Sequence, residues 1–205
     1  MKFITALHGN EVAPIVALAS LQQPFIIGNP RAVLSRKRFL EKDLNQSFLS
    51  LGNTYEEQRA REMLLQIPEN EEVIDLHTFS CSSEAFVILT DLSMLPLAQK
   101  TGLKKVVYMK HNIKQGHALL NARSGISIEV GEHEDEASII RTKNIIHNLL
   151  SDRSYQIDLY EVYDTIQEPG EYKNFTLHNA GFYPVLAGEK AYQFYGLKAR
   201  LCDSA

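Results

Sequence analysis

The sequence predicts an α/β fold, a mixed and mostly parallel sheet with helices on both faces and a small C-terminal β appendage. Three observations predict it. Short apolar runs alternate with amphipathic stretches as far as Leu150, the pattern of strands linked by covering helices. After Tyr155 the pattern changes to β-rich, aromatic segments punctuated by Gly and Pro. The length of 205 residues, with 44% hydrophobic and 22% charged side chains, suits one globular domain or one plus an appendage, not two full domains.

Taken in order, Phe3 to Leu7 reads as a buried strand, Glu11 to Leu21 as a helix and Pro24 to Gly28 as a second strand. Tyr55 to Ile67 joins Glu/Arg pairs to apolar Met63, Leu64 and Ile67, which is a helix pattern, and Glu72 to Leu76 is the next strand. Ala85 to Leu89, Lys105 to Met109 and Ile126 to Val130 are further strands, and Ser93 to Lys100 and Glu136 to Leu150 further helices. Gln156 to Ile166, Pro169-Gly170 and Gly181-Phe182-Tyr183-Pro184 carry the appendage, so the boundary is expected between residues 1–152 and 153–205.

Several function classes fall away on bulk properties. A formal net charge of -4 gives no electrostatic footprint for nucleic acid or anionic lipid. The opening residues are too short an apolar stretch for a signal peptide, and nothing approaches 18 consecutive apolar residues, so a cytoplasmic protein without membrane partners is expected. Cys81 and Cys202, the two cysteines, have no CxxC spacing and read as free thiols.

His8-Gly9-Asn10-Glu11 follows the first strand directly, at the kind of carboxyl strand end where open α/β sheets place ligands. Gly9 lets the backbone turn between a His and a Glu that can share one side; alternatively, Glu11 merely favours the positive end of its helix. Asp75-Leu76-His77-Thr78 ends another strand and brings a second imidazole to that edge, with Asp75 a natural orienter for it. Two His and one carboxylate form a common catalytic zinc set that leaves a position open for water. Glu129, in Ile128-Glu129-Val130-Gly131, is a carboxylate in an apolar strand, which is costly unless solvated or paired; beside zinc it could move a proton. Glu132, Glu134 and Asp135 read as a solvated capping run. Asn29-Pro30-Arg31-Ala32, then Arg38 and Asp43-Leu44-Asn45-Gln46, could grip a carboxylate or could be a solvated basic cluster. His111, His117, His133, His147 and His178 read as surface or structural.

The series HGNE, NPRA, Arg38 with DLN, DLHT and IEVG, in this order and at these spacings, resembles the succinylglutamate desuccinylase/aspartoacylase family, which is related to the zinc carboxypeptidases. A weaker match continues to Glu189-Lys190-Ala191-Tyr192. The resemblance implies a zinc carboxypeptidase-like catalytic domain over 1–152, with the β-rich remainder leaning over the site. It implies one Zn²⁺ per chain held by His8, Glu11 and His77, with Glu129 as general base and acid. It places Arg38 where the scissile carbonyl is polarised, Asn45 where the substrate carboxylate binds, and Tyr192 at the substrate tyrosine.

Three departures bear on substrate. Gln46 stands where the family usually has an arginine after DLN, Arg123 is out of register with the other substrate arginine, and the stretch beyond Glu129 is short for the family. The resemblance implies an amidohydrolase acting on a small N-acyl amino acid, with a homodimer compatible. The alternatives are a carboxypeptidase-like metallopeptidase acting on short peptides and a zinc-binding protein without turnover.

Overall fold

The structure, a computed structural model, describes residues 1–109 and 116–202. Nine strands form one sheet: β1 (Lys2–Thr5), β2 (Phe25–Ile27), β3 (Val73–Phe79), β4 (Phe86–Leu89), β5 (Lys105–Tyr108), β6 (Gly125–Glu132), β7 (Asp158–Ile166), β8 (Tyr183–Val185) and β9 (Gly196–Leu201), in the order β2-β1-β3-β6-β4-β5-β7-β9-β8. β2, β1, β3 and β6 are mutually parallel, as are β4, β5 and β7. The two sets meet antiparallel at the β4/β6 seam. The strands beyond residue 152 continue this sheet, β7 beside β5 and β9 antiparallel to β7.

Helices cover both faces, as the alternating pattern predicts. On one face α1 (Ala13–Ser20), α4 (Leu95–Gln99) and α6 (Glu136–Leu149) bury Leu18, Leu97, Ile145, Ile146 and Leu149 against Phe3, Ile74, Leu76, Val87, Leu89, Ile126, Ile128 and Val130. On the other, α3 (Tyr55–Gln66) sets Ala60 and Met63 against Ile4, Leu7 and Val73, joined by Leu119 of the one-turn α5 (Leu119–Ala122). Strand side chains alternate between faces, so Ile74 and Leu76 leave Asp75 and His77 on the α3 side. α3 starts in a full capping box, with Thr54 accepting from Glu57 N–H and Glu57 accepting from Thr54 N–H.

Three local departures have physical reasons. The first helix begins at Ala13 rather than Glu11, because the Glu11 carboxylate turns back to two histidines instead of capping the helix. The helix expected from Ser93 divides into a 3₁₀ turn, Leu92–Met94, and α4, because Pro96 has no N–H for a continuous ladder. α2 (Pro30–Ser35), where the sequence led to no expected helix, starts on Asn29, whose side chain accepts from Ala32 N–H, with Pro30 at its first turn. Among the described residues no helix is long and apolar enough to cross a membrane.

Candidate metal centre and its cavity

The site gathers at the end of β3 and β6 and in the turn after β1. The register pairs His77 with Glu129 and Asp75 with Ser127 across β3 and β6, and Glu129 with Phe86 and Ser127 with Ile88 across β6 and β4. Two parallel rows therefore lie on one face of the sheet, His77–Glu129–Phe86 and Asp75–Ser127–Ile88.

His8 and Glu11 reach this face from the β1–α1 turn. Gly9 is required there by close packing: a Cβ would fall within the Ala32–Val33 peptide and on the Lys37 carbonyl, and its N–H donates to Arg38 O at 3.0 Å. The backbone turns at Gly9-Asn10 as expected, Glu11 N–H donating to His8 O at 3.1 Å, and Ala6 just before it has a φ of 53°. The Gly9 contact seats the segment carrying Arg38 against His8.

Ligating atoms of His8, Glu11 and His77 all lie within 4.8 Å of one another, and the three side chains are buried. The Glu11 carboxylate sits between the rings, with Oε1 2.6 Å from His8 Nδ1 and Oε2 2.9 Å from His77 Nδ1. Each ring's far nitrogen faces a second carboxylate: His8 Nε2 is 3.0 Å from Asp43 Oδ1, and His77 Nε2 is 2.7 Å from Asp75 Oδ2. Asp75 thus favours a proton on His77 Nε2, whereas His8 Nε2 faces both the Asp43 carboxylate and the Arg38 guanidinium, and each Nδ1 is turned toward Glu11. At 2.6 and 2.9 Å a proton can bridge each Nδ1 to the carboxylate, and the same buried N₂O donor set, converging at this spacing, is of the kind that holds zinc. The residues present fit the metal.

The electrostatics carry the same signature. Burial works against a charged imidazole at His77, yet Asp75 and Glu11 outweigh it and raise its pKa well above the usual value. Burial likewise opposes ionisation of Glu11, but His8 and His77 hold its pKa below the carboxylate range. Glu129 goes the other way. Burial pushes its pKa up to about 8, with His77 pulling down and Glu11, Glu189 and Asp75 pushing further up, and its Oε2 is buried without a hydrogen-bond partner.

A cavity of about 230 Å³ opens over these groups, and Arg38, Asn45, Glu129, Glu189 and Tyr192 are on its wall. Arg38 Nη2 lies 2.9 Å from His8 Nε2 and 3.5 Å from Asp43 Oδ2. Asn45 Oδ1 accepts from Leu119 N–H, which fixes the orientation of its amide. Tyr192 stacks on Phe194 at 4.6 Å, and burial, reinforced by Glu129, raises its pKa so that its O–H stays protonated.

Gln46 is not brought in: it is exposed at the end of a 3₁₀ turn, Leu44–Gln46, and does not line the cavity. Arg123 is also spent elsewhere, its guanidinium donating to the carbonyls of Ile67, Ala122 and Leu64. Arg36 is exposed in a left-handed helix cap.

Several supporting residues are invisible to sequence reasoning. His133 Nδ1 lies 2.7 Å from Thr78 Oγ1, and Thr78 N–H donates to Glu11 Oε2 at 3.3 Å. Glu189 accepts from Ser80 N–H and Oγ–H, tying the segment that carries Tyr192 to the end of β3. Fully buried Glu56 accepts from the N–H groups of Leu40, Glu41 and Lys42 and from Asn29 Nδ2, clamping the loop between Arg38 and Asp43. Two did carry a signal: Asp75, by its place two residues before a candidate ligand, and Glu189, in the Glu189-Lys190-Ala191-Tyr192 match. His111 lies outside the described residues.

Comparison with known proteins gives the same direction. The succinylglutamate desuccinylase/aspartoacylase catalytic-domain model matches residues 3–152. A probable aspartoacylase of Nostoc sp. is 33% identical over 153 residues, covering 60% of this chain and 52% of that protein. One from Prochlorococcus marinus subsp. pastoris is 28% identical over 153 residues, covering 62% and 52%. The chain spans about half the length of the curated relatives it matches. The crystal structure of a succinylglutamate desuccinylase from Chromobacterium violaceum superposes with a TM-score of 0.74 at 16% identity, covering 98% of this chain and 84% of that one. Murine aminoacylase 3 gives 0.68 at 18% identity, covering 98% and 95%, and at such identities the likeness is one of fold. With the family model matched along most of its length and a fold shared with these structures, the chain belongs to the succinylglutamate desuccinylase/aspartoacylase family.

Proposed function

We propose that the chain is a zinc-dependent amidohydrolase that cleaves a small N-acyl amino acid or a similar amide. The observation that carries this reading is the cross-strand pair His77–Glu129, which sets a carboxylate with an unpartnered buried oxygen beside a three-ligand metal cluster on one cavity wall.

His8, Glu11 and His77 would hold one Zn²⁺, with Asp43 and Asp75 fixing the two rings. When bound, zinc supplies Lewis-acid polarisation of the carbonyl and lowers the pKa of a water toward roughly 7. Glu129 takes the proton from the nucleophilic water and returns it to the departing nitrogen, and burial, which raises its pKa, favours the protonated form that makes the return. Arg38 opposes the negative charge that grows on the carbonyl oxygen, and the Tyr192 hydroxyl supplies a neutral donor on the same cavity's wall. Asn45 orients the substrate through its fixed amide. On this reading residues 1–152 carry the chemistry, and 153–205 contribute Glu189 and Tyr192 to the wall.

The test is zinc analysis of the purified protein together with hydrolysis of a mixed N-acyl amino acid library. One zinc per chain and release of free amino acid are expected. A zinc-replete protein that leaves every amide intact, or one that cleaves C-terminal dipeptides instead, overturns the assignment.

A further inference from the structure

The cavity floor changes character at the β4/β6 seam. In the row Asp75–Ser127–Ile88 the first two side chains are polar and the third is apolar, and the other row passes from His77 and Glu129 to Phe86. Ile88 is half-buried in a strand whose other three residues are buried, because cavity rather than helix lies over it. Phe79, Met109, Leu120 and Leu186 are also on the cavity wall. Phe79 and Leu186 are each 2% exposed and locked in the core beneath, so this wall is built rather than incidental.

Charge is distributed the opposite way. Among the described lining residues Arg38 is the one permanent cation, on the far side of the metal cluster and already facing His8, Asp43 and, at 3.8 Å, Glu11 Oε1. Carboxylates of Glu11, Asp75, Glu129 and Glu189 line the same space. A second carboxylate on the substrate, placed over β4 and β5, would lose its hydration against apolar side chains and meet no cation among those residues. An alkyl or aryl group in the same place would gain from burial.

We infer that the half of the cavity over β4 and β5 is a subsite for an uncharged aliphatic or aromatic substituent of the amide. This rests on the amidohydrolase reading for its chemistry but not for its binding, and the two are measured separately.

Titration calorimetry on the zinc-loaded protein would compare two pairs of ligands. N-hexanoyl- and N-succinyl-glycinamide vary the acyl side, and the N-acetyl amides of leucine and aspartate vary the amine side. In at least one pair the uncharged member should bind more tightly, and on that side affinity should rise about fourfold per methylene from acetyl to hexanoyl or from alanine to norleucine. Leu120→Lys, on a cavity wall outside the sheet, should reverse the preference; Ile88→Lys should do the same if the strand tolerates it. Tighter binding of the charged member in both pairs, or no discrimination in either, overturns the subsite. Hydrolysis of the same compounds is then read on its own: preferential binding with no cleavage would sink the amidohydrolase proposal and leave the subsite standing.

Discussion

The two halves of the site are held in place by different means. His77, Asp75 and Glu129 stand on β3 and β6, Asp75 and Glu129 paired on both sides and His77 paired to Glu129, so their spacing is set by a ladder of backbone hydrogen bonds. His8, Arg38 and Asp43 stand on connecting segments whose position depends on a few side chains, chiefly buried Glu56 and the close approach at Gly9. The strand half fixes the proposed base relative to one proposed ligand whatever the loops do. The loop half supplies the other imidazole and the cation, and it is the half a single substitution can loosen.

The largest effect is expected on the strand side. Glu129→Gln keeps the shape and the ladder but removes proton transfer, so turnover of whichever amide the protein cleaves should fall by roughly 10² to 10⁴ fold. Zinc content should stay at the wild-type value, because Glu129 is not among the three converging ligands. Turnover within a few fold of wild type would remove Glu129 from the mechanism.

Next come the two carboxylates behind the histidines, which compare the halves directly. Asp75→Asn and Asp43→Asn should each weaken zinc binding by about 10 to 100 fold, as loss of such partners generally does. Asp75 has a side chain 1% exposed and Asp43 one 12% exposed, so water can replace part of what Asp43 gives and less of what Asp75 gives. The Asp75 variant should therefore be the weaker zinc binder in a chelator competition. The reverse order would mean that the loop, not the strand, sets metal affinity.

Glu56→Ala tests the loop clamp. It strands three backbone donors and one amide donor, at a cost of about 2–3 kcal/mol, which for a chain of this size lowers Tm by roughly 5–10 °C. Zinc-loaded kcat/KM should fall as well, since Arg38 and Asp43 flank the freed loop. Leu149→Ala, a comparable lesion in α6 on the opposite face, should lower Tm without that loss. Equal kcat/KM in the two variants at a temperature where both are folded would show that the clamp serves stability alone.

These two halves also differ in how far the sequence discloses them. The strand half is legible because apolar runs mark β3 and β6, and a His or Glu inside such a run stands out against its neighbours. His8 and Glu11 are legible for a similar reason, lying directly after an apolar run. The sheet order is not legible: nothing in Phe86–Leu89 says that β4 inserts antiparallel beside β6, since pairing is decided by long-range packing. Glu56 and Glu57 look alike in sequence, as acidic residues in the first turn of a helix, yet Glu56 clamps a loop and Glu57 completes a cap while binding Lys42. Asp43 likewise sits in a polar stretch with no mark that its carboxylate meets a histidine 35 residues earlier.

The smallest effect is expected at Gln46, and it sharpens the comparison from the loop side. Its identity departs from the family pattern, which on sequence grounds made it a candidate for setting carboxylate specificity. The 3₁₀ turn Leu44–Gln46 instead sends Asn45 to the cavity and leaves Gln46 exposed outside it, while Asp43 caps the turn by accepting from Asn45 N–H. A guanidinium at an exposed position stays hydrated, and surface substitutions usually change free energies by no more than about 0.5 kcal/mol. Gln46→Arg should therefore alter the ratio of kcat/KM for N-succinyl against N-acetyl substrates by less than about threefold. A tenfold or larger gain for the succinyl compound would mean that the turn repositions residue 46 into the cavity when substrate binds, and that the loop half is selected by its ligand rather than set by Glu56.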